Sequence, residues 1–223
     1  MTAHKPGDSL QAEMWAIGAA ARQAARAMRE TSAEQKTKAL MTAAAAIRAR
    51  KEAILAANKA DIDAAKAAGM PAPMIDRLML NEARIEAMAA GVETVAALPD
   101  PVGRELARWS RPNGLDIARV ATPIGVIGII YESRPNVTVD AGALTVKSGN
   151  AAILRGGSDS IRSAGAIHAA MAEGLKSAGL PETAVQYVKT PDRAAVGMML
   201  EGLDGNIDLI IPRGGKGLTG RVM

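Results

Sequence analysis

Three short stretches carry residue types that can hold an anion: YESRPN (131–136), RGGSDS (155–160) and PRGGKG (212–217). Each contains an arginine among small or polar residues, and each follows a short apolar run. In the second, Gly156 and Gly157 permit close backbone approach and Arg155 is a fixed cation. The helix expected after them would present free amides and a positive dipole, which together suit a phosphate. A plain strand-to-helix turn uses the same glycines, so the residues alone leave both readings open.

Other chemistries are excluded by spacing. Gly125 and Gly128 are spaced GxxG inside an apolar run rather than after it, so the dinucleotide fingerprint is absent. Ile210 stands where a Walker P-loop needs its first glycine. His4 and His168 are too few and too distant for a metal site, and the Asn136-Val137-Thr138 sequon means little without an export signal. With no cysteine among 223 residues, disulfides, thiolate metal sites and a cysteine nucleophile are all ruled out.

The elements that would position these stretches are legible from the pattern. Residues 10–30 read as a helix rich in Ala, Met, Arg and Gln. Thr31 and Glu34 offer a capping box for a second helix, along which Leu40, Ala44, Ile47, Ile54 and Leu55 recur at helical spacing. Gly69, Pro71 and Pro73 punctuate the chain, and a further helix is expected from Asn81 to Leu98. Asn113-Gly114, flanked by Leu115, Ile117 and Val120, predicts a β-hairpin that should lie against another surface. From Pro123 onward, IGVIGIIY, NAAILRGG, AVQYV and NIDLII read as strands alternating with helices, and Ser158 or Asp159 is the expected helix cap after the second of them. The order β-α-β-α-β-α-β predicts an open, mostly parallel α/β sheet of Rossmann type, preceded by N-terminal helices and the hairpin. Ligands of such sheets bind beyond the carboxyl ends of the strands, where all three arginine-bearing stretches fall.

Composition narrows the class. A hydrophobic content of 48% suits a well-buried core, and 27 basic against 23 acidic residues leave only +4. Basic clusters with interleaved aromatics are missing, which argues against nucleic acid. No apolar run approaches the ~20 residues of a membrane span, and no secretory signal is present, compatible with the cytoplasm.

Against this background, PIGVIGIIYESRPNVTVDAGALTVKSGNAAILRGGSDS (123–160), with DPVG before it and IDLIIPRGGKGL after it, resembles the gamma-glutamyl phosphate reductases (glutamate-5-semialdehyde dehydrogenases) of the aldehyde dehydrogenase superfamily. AARQAAR, ANKADIDAAKAAGM and MIDRLMLNEARIEAMAAGVETVAALPDPVG extend the resemblance over nearly the whole chain. It implies an aldehyde dehydrogenase-like fold and NADPH-dependent reduction of L-glutamate 5-phosphate to the semialdehyde and phosphate in proline biosynthesis, through a cysteine thioester. Asn136 then resembles the amide that stabilises the oxyanion, a donor whose loss typically costs ~10²-fold or more in rate. Arg155, Gly156, Gly157 and Ser158 resemble the segment that meets the adenosine ribose, with arginine suited to a 2′-phosphate. Arg213, Gly214 and Gly215 resemble a strand end that carries a general-base glutamate elsewhere in the superfamily; here the glutamate is lost. Further implications are a helical part of the cofactor-binding domain over 1–98, an oligomerisation arm over 99–122 and an NADP-binding core over 123–223. A homo-oligomer formed through the hairpin and association with the upstream glutamate kinase are implied as well. The family's nucleophilic cysteine lies beyond PRGGKGL and is absent, so this chain is expected to be part of a longer reductase and inactive alone. The alternative is a noncatalytic dinucleotide-binding or regulatory module that keeps the fold.

Overall fold

The computed structural model describes residues 6–215 and 219–220. The alanine-rich first part folds as α1 (Pro6–Arg29), α2 (Ala33–Ala49), α3 (Lys51–Ala67), α4 (Ala72–Leu78) and α5 (Glu82–Ala97). The apolar stripe of α2, Leu40, Ala43, Ala44 and Ile47, is fully buried where that helix packs on α5. The capping box exists, displaced by one residue. Ser32 Oγ accepts from the Gln35 amide, and the Gln35 side chain accepts from the Ser32 amide, both at 3.2 Å. Thr31 cannot take that role because its hydroxyl donates to the Ala27 carbonyl at the end of α1. The apolar repeat from Leu40 to Leu55 is also not one helix. The chain bends at Arg50 (φ −94°, ψ 12°) without proline or glycine; α2 packs on α7 and α5, α3 packs on α7 and α4, and the Arg50–Glu173 ion pair lies at the bend at 2.9 Å. Helix α4 carries too short a periodic pattern to stand out in the sequence.

Strands β1 (Glu105–Ser110) and β2 (Asp116–Val120) form a separate antiparallel hairpin, as expected. Its loop runs from Arg111 to Leu115 and uses the positive φ only at Gly114 (+87°). Leu106, Trp109, Leu115 and Val120 on it are exposed. The segment leading into the hairpin is pinned by Asp100, which pairs with the almost wholly buried Lys36 at 2.6 Å and accepts from the Val102 amide.

The second half alternates as its sequence predicts. Strand β3 (Val126–Tyr131) leads to α6 (Val137–Lys147), β4 (Ala151–Arg155), α7 (Ile161–Ser177), β5 (Val185–Tyr187), α8 (Ala194–Leu200) and β6 (Leu209–Arg213). All four strands are parallel, in the order β5-β4-β3-β6. Strands β3 and β4 are buried along their whole length under α1 and α6, which is why they read as continuous apolar runs. The chain builds outward from β3 to β5 and then returns to place β6 on the other side of β3. That reversal creates a topological switch point at the carboxyl end of β3, the position where such sheets bind ligands.

Candidate functional site

Register brings the three arginine-bearing stretches to one edge. Arg155 lies opposite Ile130, and Arg213 opposite Tyr131, on either side of the end of β3. Beyond them opens a cleft of about 660 Å³, within the size range of small-molecule sites. Its walls come from all four strand ends: Glu132, Ser133 and Arg134 after β3, Arg155 to Asp159 at the end of β4, Pro191 and Arg193 after β5, and Gly215 after β6.

The glycines of this cleft serve the loops as well as any ligand. A Cβ on Gly157 would overlap Ser133 Oγ and lie 3.0 Å from the Ser133 amide nitrogen. Ser133 in turn donates to Asp159 at 2.7 Å, tying the β3 loop to the β4 loop. A Cβ on Gly214 would lie 2.7 Å from Glu132 Cδ, and Glu132 Oε1 accepts from the Gly215 amide at 2.8 Å. Close approach of the Ser133 backbone therefore requires Gly157 even without a phosphate, whereas Gly214 faces only the Glu132 side chain.

Arg155 is more than nine-tenths buried. Its guanidinium donates only to carbonyl oxygens, those of Gly156 and Pro191, and its Nε has no partner among the described residues. Burial lowers its pKa, and the charges of Tyr187, Tyr131 and Asp192 oppose that only in part. A buried cation held by neutral acceptors, without a carboxylate on it, favours an incoming anion.

The start of α7 departs from expectation. A 3₁₀ turn over Ser158–Ser160 precedes the helix, and neither Ser158 nor Asp159 caps it. The cap is Asp61, a buried carboxylate on α3, which accepts from the Ser163 amide at 2.8 Å, the Ser163 hydroxyl at 2.6 Å and the Arg162 amide at 3.4 Å. The chain thus supplies its own anion to this helix N-terminus, and any phosphate in the cleft must rely on side chains and on the loop before it. Beside it, Asn58 donates to the Leu78 carbonyl and accepts from the Leu80 amide, which fixes the end of α4 against α3. Neither residue carries a local sequence signal for this role, since Asp61 and Ser163 are 102 positions apart.

Asn136 lies elsewhere. It occupies the first position before α6 with helical φ and ψ, and its side chain caps nothing. Its Nδ2 donates to Asp140 at 2.9 Å, one turn on, and it lines a second hollow of about 450 Å³ with Asp76, Arg77, Arg84, Arg134 and Asp140. Burial raises the Asp140 carboxyl pKa, against the lowering effects of Asn136 and Arg213. Arg77 and Arg134 line both the hollow and the cleft. The structure therefore gathers Arg155, Gly156, Gly157, Ser158 and Gly215 in the cleft and puts Asn136 in the adjoining hollow. Arg213 is exposed outside both, with its carbonyl accepting from the Glu132 amide. His4, Lys216 and Gly217 lie outside the described residues. His168 is structural: its Nε2 meets the Val185 carbonyl at 2.8 Å. Among the described residues there is no cluster of potential metal ligands, and no helix is long and apolar enough to cross a membrane.

A parallel sheet with a ligand-sized cleft at its switch point defines an α/β protein of nucleotide-binding type. The chain belongs to the aldehyde dehydrogenase family, whose model matches residues 5–217. It is 65% identical over 214 residues to the gamma-glutamyl phosphate reductase of Caulobacter sp. (strain K31), covering 96% of this chain and 51% of that protein. The crystal structure of gamma-glutamyl phosphate reductase from Thermotoga maritima superposes with a TM-score of 0.92 at 43% identity, over 94% of this chain and 50% of that one. The Saccharomyces cerevisiae counterpart gives 0.84 at 34% identity, over 93% and 52%. The chain thus spans about half the length of the relatives it matches. Family membership implies a nicotinamide cofactor. The cleft suits the anionic part of one, since it offers a buried guanidinium whose Nε has no partner among the described residues, with Arg193 also in its wall.

Proposed function

We propose that this chain is the cofactor-binding part of a gamma-glutamyl phosphate reductase that reduces L-glutamate 5-phosphate with NADPH. One hydride and one proton convert the acyl phosphate to the aldehyde and inorganic phosphate. The observation that carries the reading is Arg155, a buried cation with no carboxylate partner at the strand end where the relatives' resemblance puts the adenosine ribose. Its fork suits a 2′-phosphate in a way that lysine would not. Asn136 supplies a carboxamide free of capping duties, with one N–H held by Asp140 and the other available to an oxygen that gains negative charge. Gly157 and Ser158 shape the wall beside Arg155, Gly214 and Gly215 seat the loop from the last strand, and Arg213 flanks it.

The test is calorimetry with NADPH and NADH on the wild type and Arg155→Ala. NADPH binding should weaken by at least about tenfold in the variant while NADH binding changes little, as expected for losing a phosphate-paired arginine. Equal binding of both cofactors by both proteins removes Arg155 from the role.

A second reading, a module that binds a dinucleotide without chemistry, is favoured by the lack of any cysteine. Both readings require a thiol from outside these residues, so the purified chain should show no NADPH oxidation with L-glutamate 5-phosphate in a spectrophotometric assay. Turnover by the chain alone overturns both. We further propose that the hairpin over 99–122 is an arm joining subunits, that residues 1–98 and 123–223 together form the cofactor-binding part, and that the whole enzyme works in the cytoplasm beside glutamate kinase.

A further inference from the structure

We propose that Arg77 and Arg134 together hold the phosphoryl group of the acyl phosphate and receive it as it leaves. The inference rests on the reductase reading and assigns a substrate-binding role to two residues which that reading leaves without one. Among the residues lining the cleft and the hollow, only these two line both. An acyl phosphate needs that arrangement. Its carbonyl must reach the Asn136 amide in the hollow, its carbon must be open to the thiol that displaces phosphate and afterwards, as the thioester, to hydride from the cleft, and its phosphoryl is one bridging oxygen away from that carbon.

The electrostatics of the partition agree. Neither guanidinium has a hydrogen-bond or ion-pair partner among the described residues. The nearby acids are each engaged: Asp76 by Arg84 at 3.0 Å, Asp140 by Asn136, Asp159 by Ser133 and Glu132 by the Gly215 amide. Arg84 is committed to Asp76 and to the Asp76 and Met79 carbonyls, and Arg155 lines the cleft but not the hollow. Arg77 and Arg134 are therefore the two exposed, uncommitted forks at the partition, and guanidinium forks match phosphate oxygens in pairs. A thiolate from outside these residues adds to the acyl carbon, and the bond from that carbon to the bridging oxygen breaks. The electron pair leaves with that oxygen as inorganic phosphate, the acyl group stays on sulfur as the thioester, and the two cations stabilise the added charge. Asn58 and Arg84 clamp the 76–80 segment, so Arg77 approaches from a fixed wall.

The probe is inorganic phosphate, titrated into the 223-residue chain by calorimetry and followed by phosphorus NMR. Both arginines are exposed, and circular dichroism checks that each variant keeps its fold. The wild type should bind phosphate, and Arg77→Ala/Arg134→Ala should weaken binding by at least about tenfold. Arg26→Ala/Arg29→Ala, which removes equal charge from the far end of α1, should leave it unchanged. The proposal is overturned if the wild type does not bind phosphate, if the partition variant binds as well as the wild type, or if Arg155→Ala alone removes the binding. NADPH titrations on the same samples keep the two ideas apart: NADPH binding that ignores Arg155 sinks the cofactor assignment, while phosphate binding still reports on Arg77 and Arg134.

Discussion

At the scale of single residues, the buried polar groups separate structural from functional side chains. Asp61, Asn58 and Ser163 satisfy one another and the backbone around them, so their burial needs no ligand to explain it. Arg155 differs, because a guanidinium N–H in a wall of the cleft has no partner among the described residues. His168 belongs with the first group. Burial lowers its pKa, against the raising effect of its bond to the Val185 carbonyl, so the folded protein binds fewer protons there than the unfolded chain. Stability from His168 should thus be present above the ordinary histidine pKa of about 6.5 and be lost as pH falls below it. Thermal melts at stepped pH should show this decline in the wild type and a flatter profile in His168→Gln, which keeps a donor for the carbonyl but does not titrate.

At the scale of elements, the contact between α2 and α7 gives a paired test on one helix. A Cβ on Gly174 would overlap the Ala39 carbonyl oxygen and lie 2.6 Å from Ala43 Cβ, whereas a Cβ on Gly165 would meet nothing within 4 Å. Alanine is favoured over glycine in a helix by about 1 kcal/mol, but forcing a methyl against backbone costs ~1–3 kcal/mol. Gly165→Ala should therefore raise stability by up to about 1 kcal/mol, and Gly174→Ala should lower it by up to about 2 kcal/mol, both read from urea unfolding. A Gly174→Ala protein as stable as the wild type would mean that the helices separate more freely than this packing implies. The same logic of close approach governs Gly157, where the Ser133 loop takes up the space a side chain would need.

At the scale of the whole molecule, the hairpin stands apart. It forms its own two-stranded sheet and exposes Leu106, Trp109, Leu115 and Val120, while an isolated ribbon of this size is marginal in water. The subunit-joining role proposed for it predicts that removing residues 104–121 lowers the mass measured by light scattering to that of a single chain. An unchanged mass would place the subunit contact elsewhere. Leu209 and Ile211 of the edge strand β6 are exposed as well.

What could be read from the amino-acid order was whatever depends on neighbours in sequence. Helical repeats in the first half, the Asn113-Gly114 turn, the alternation after Pro123 and the three stretches at strand ends all arise from short-range spacing and backbone preference. The resemblance carried by SRPN and RGGSDS added the family. Even local signals blurred by one residue or one turn, as with Ser32 in place of Thr31 and the bend at Arg50, where a hydroxyl already engaged or a packing partner on another helix decided the outcome. Only the tertiary structure could assign the rest. Asp61 reaches the start of α7 across 102 positions, Arg77 on a short helix lines the same two spaces as Arg134 on a strand-end loop, and Asn136 opens into a different space from Arg155. These relations come from how helices pack around a sheet whose strand order reverses at β3, and no spacing along the chain encodes that distance.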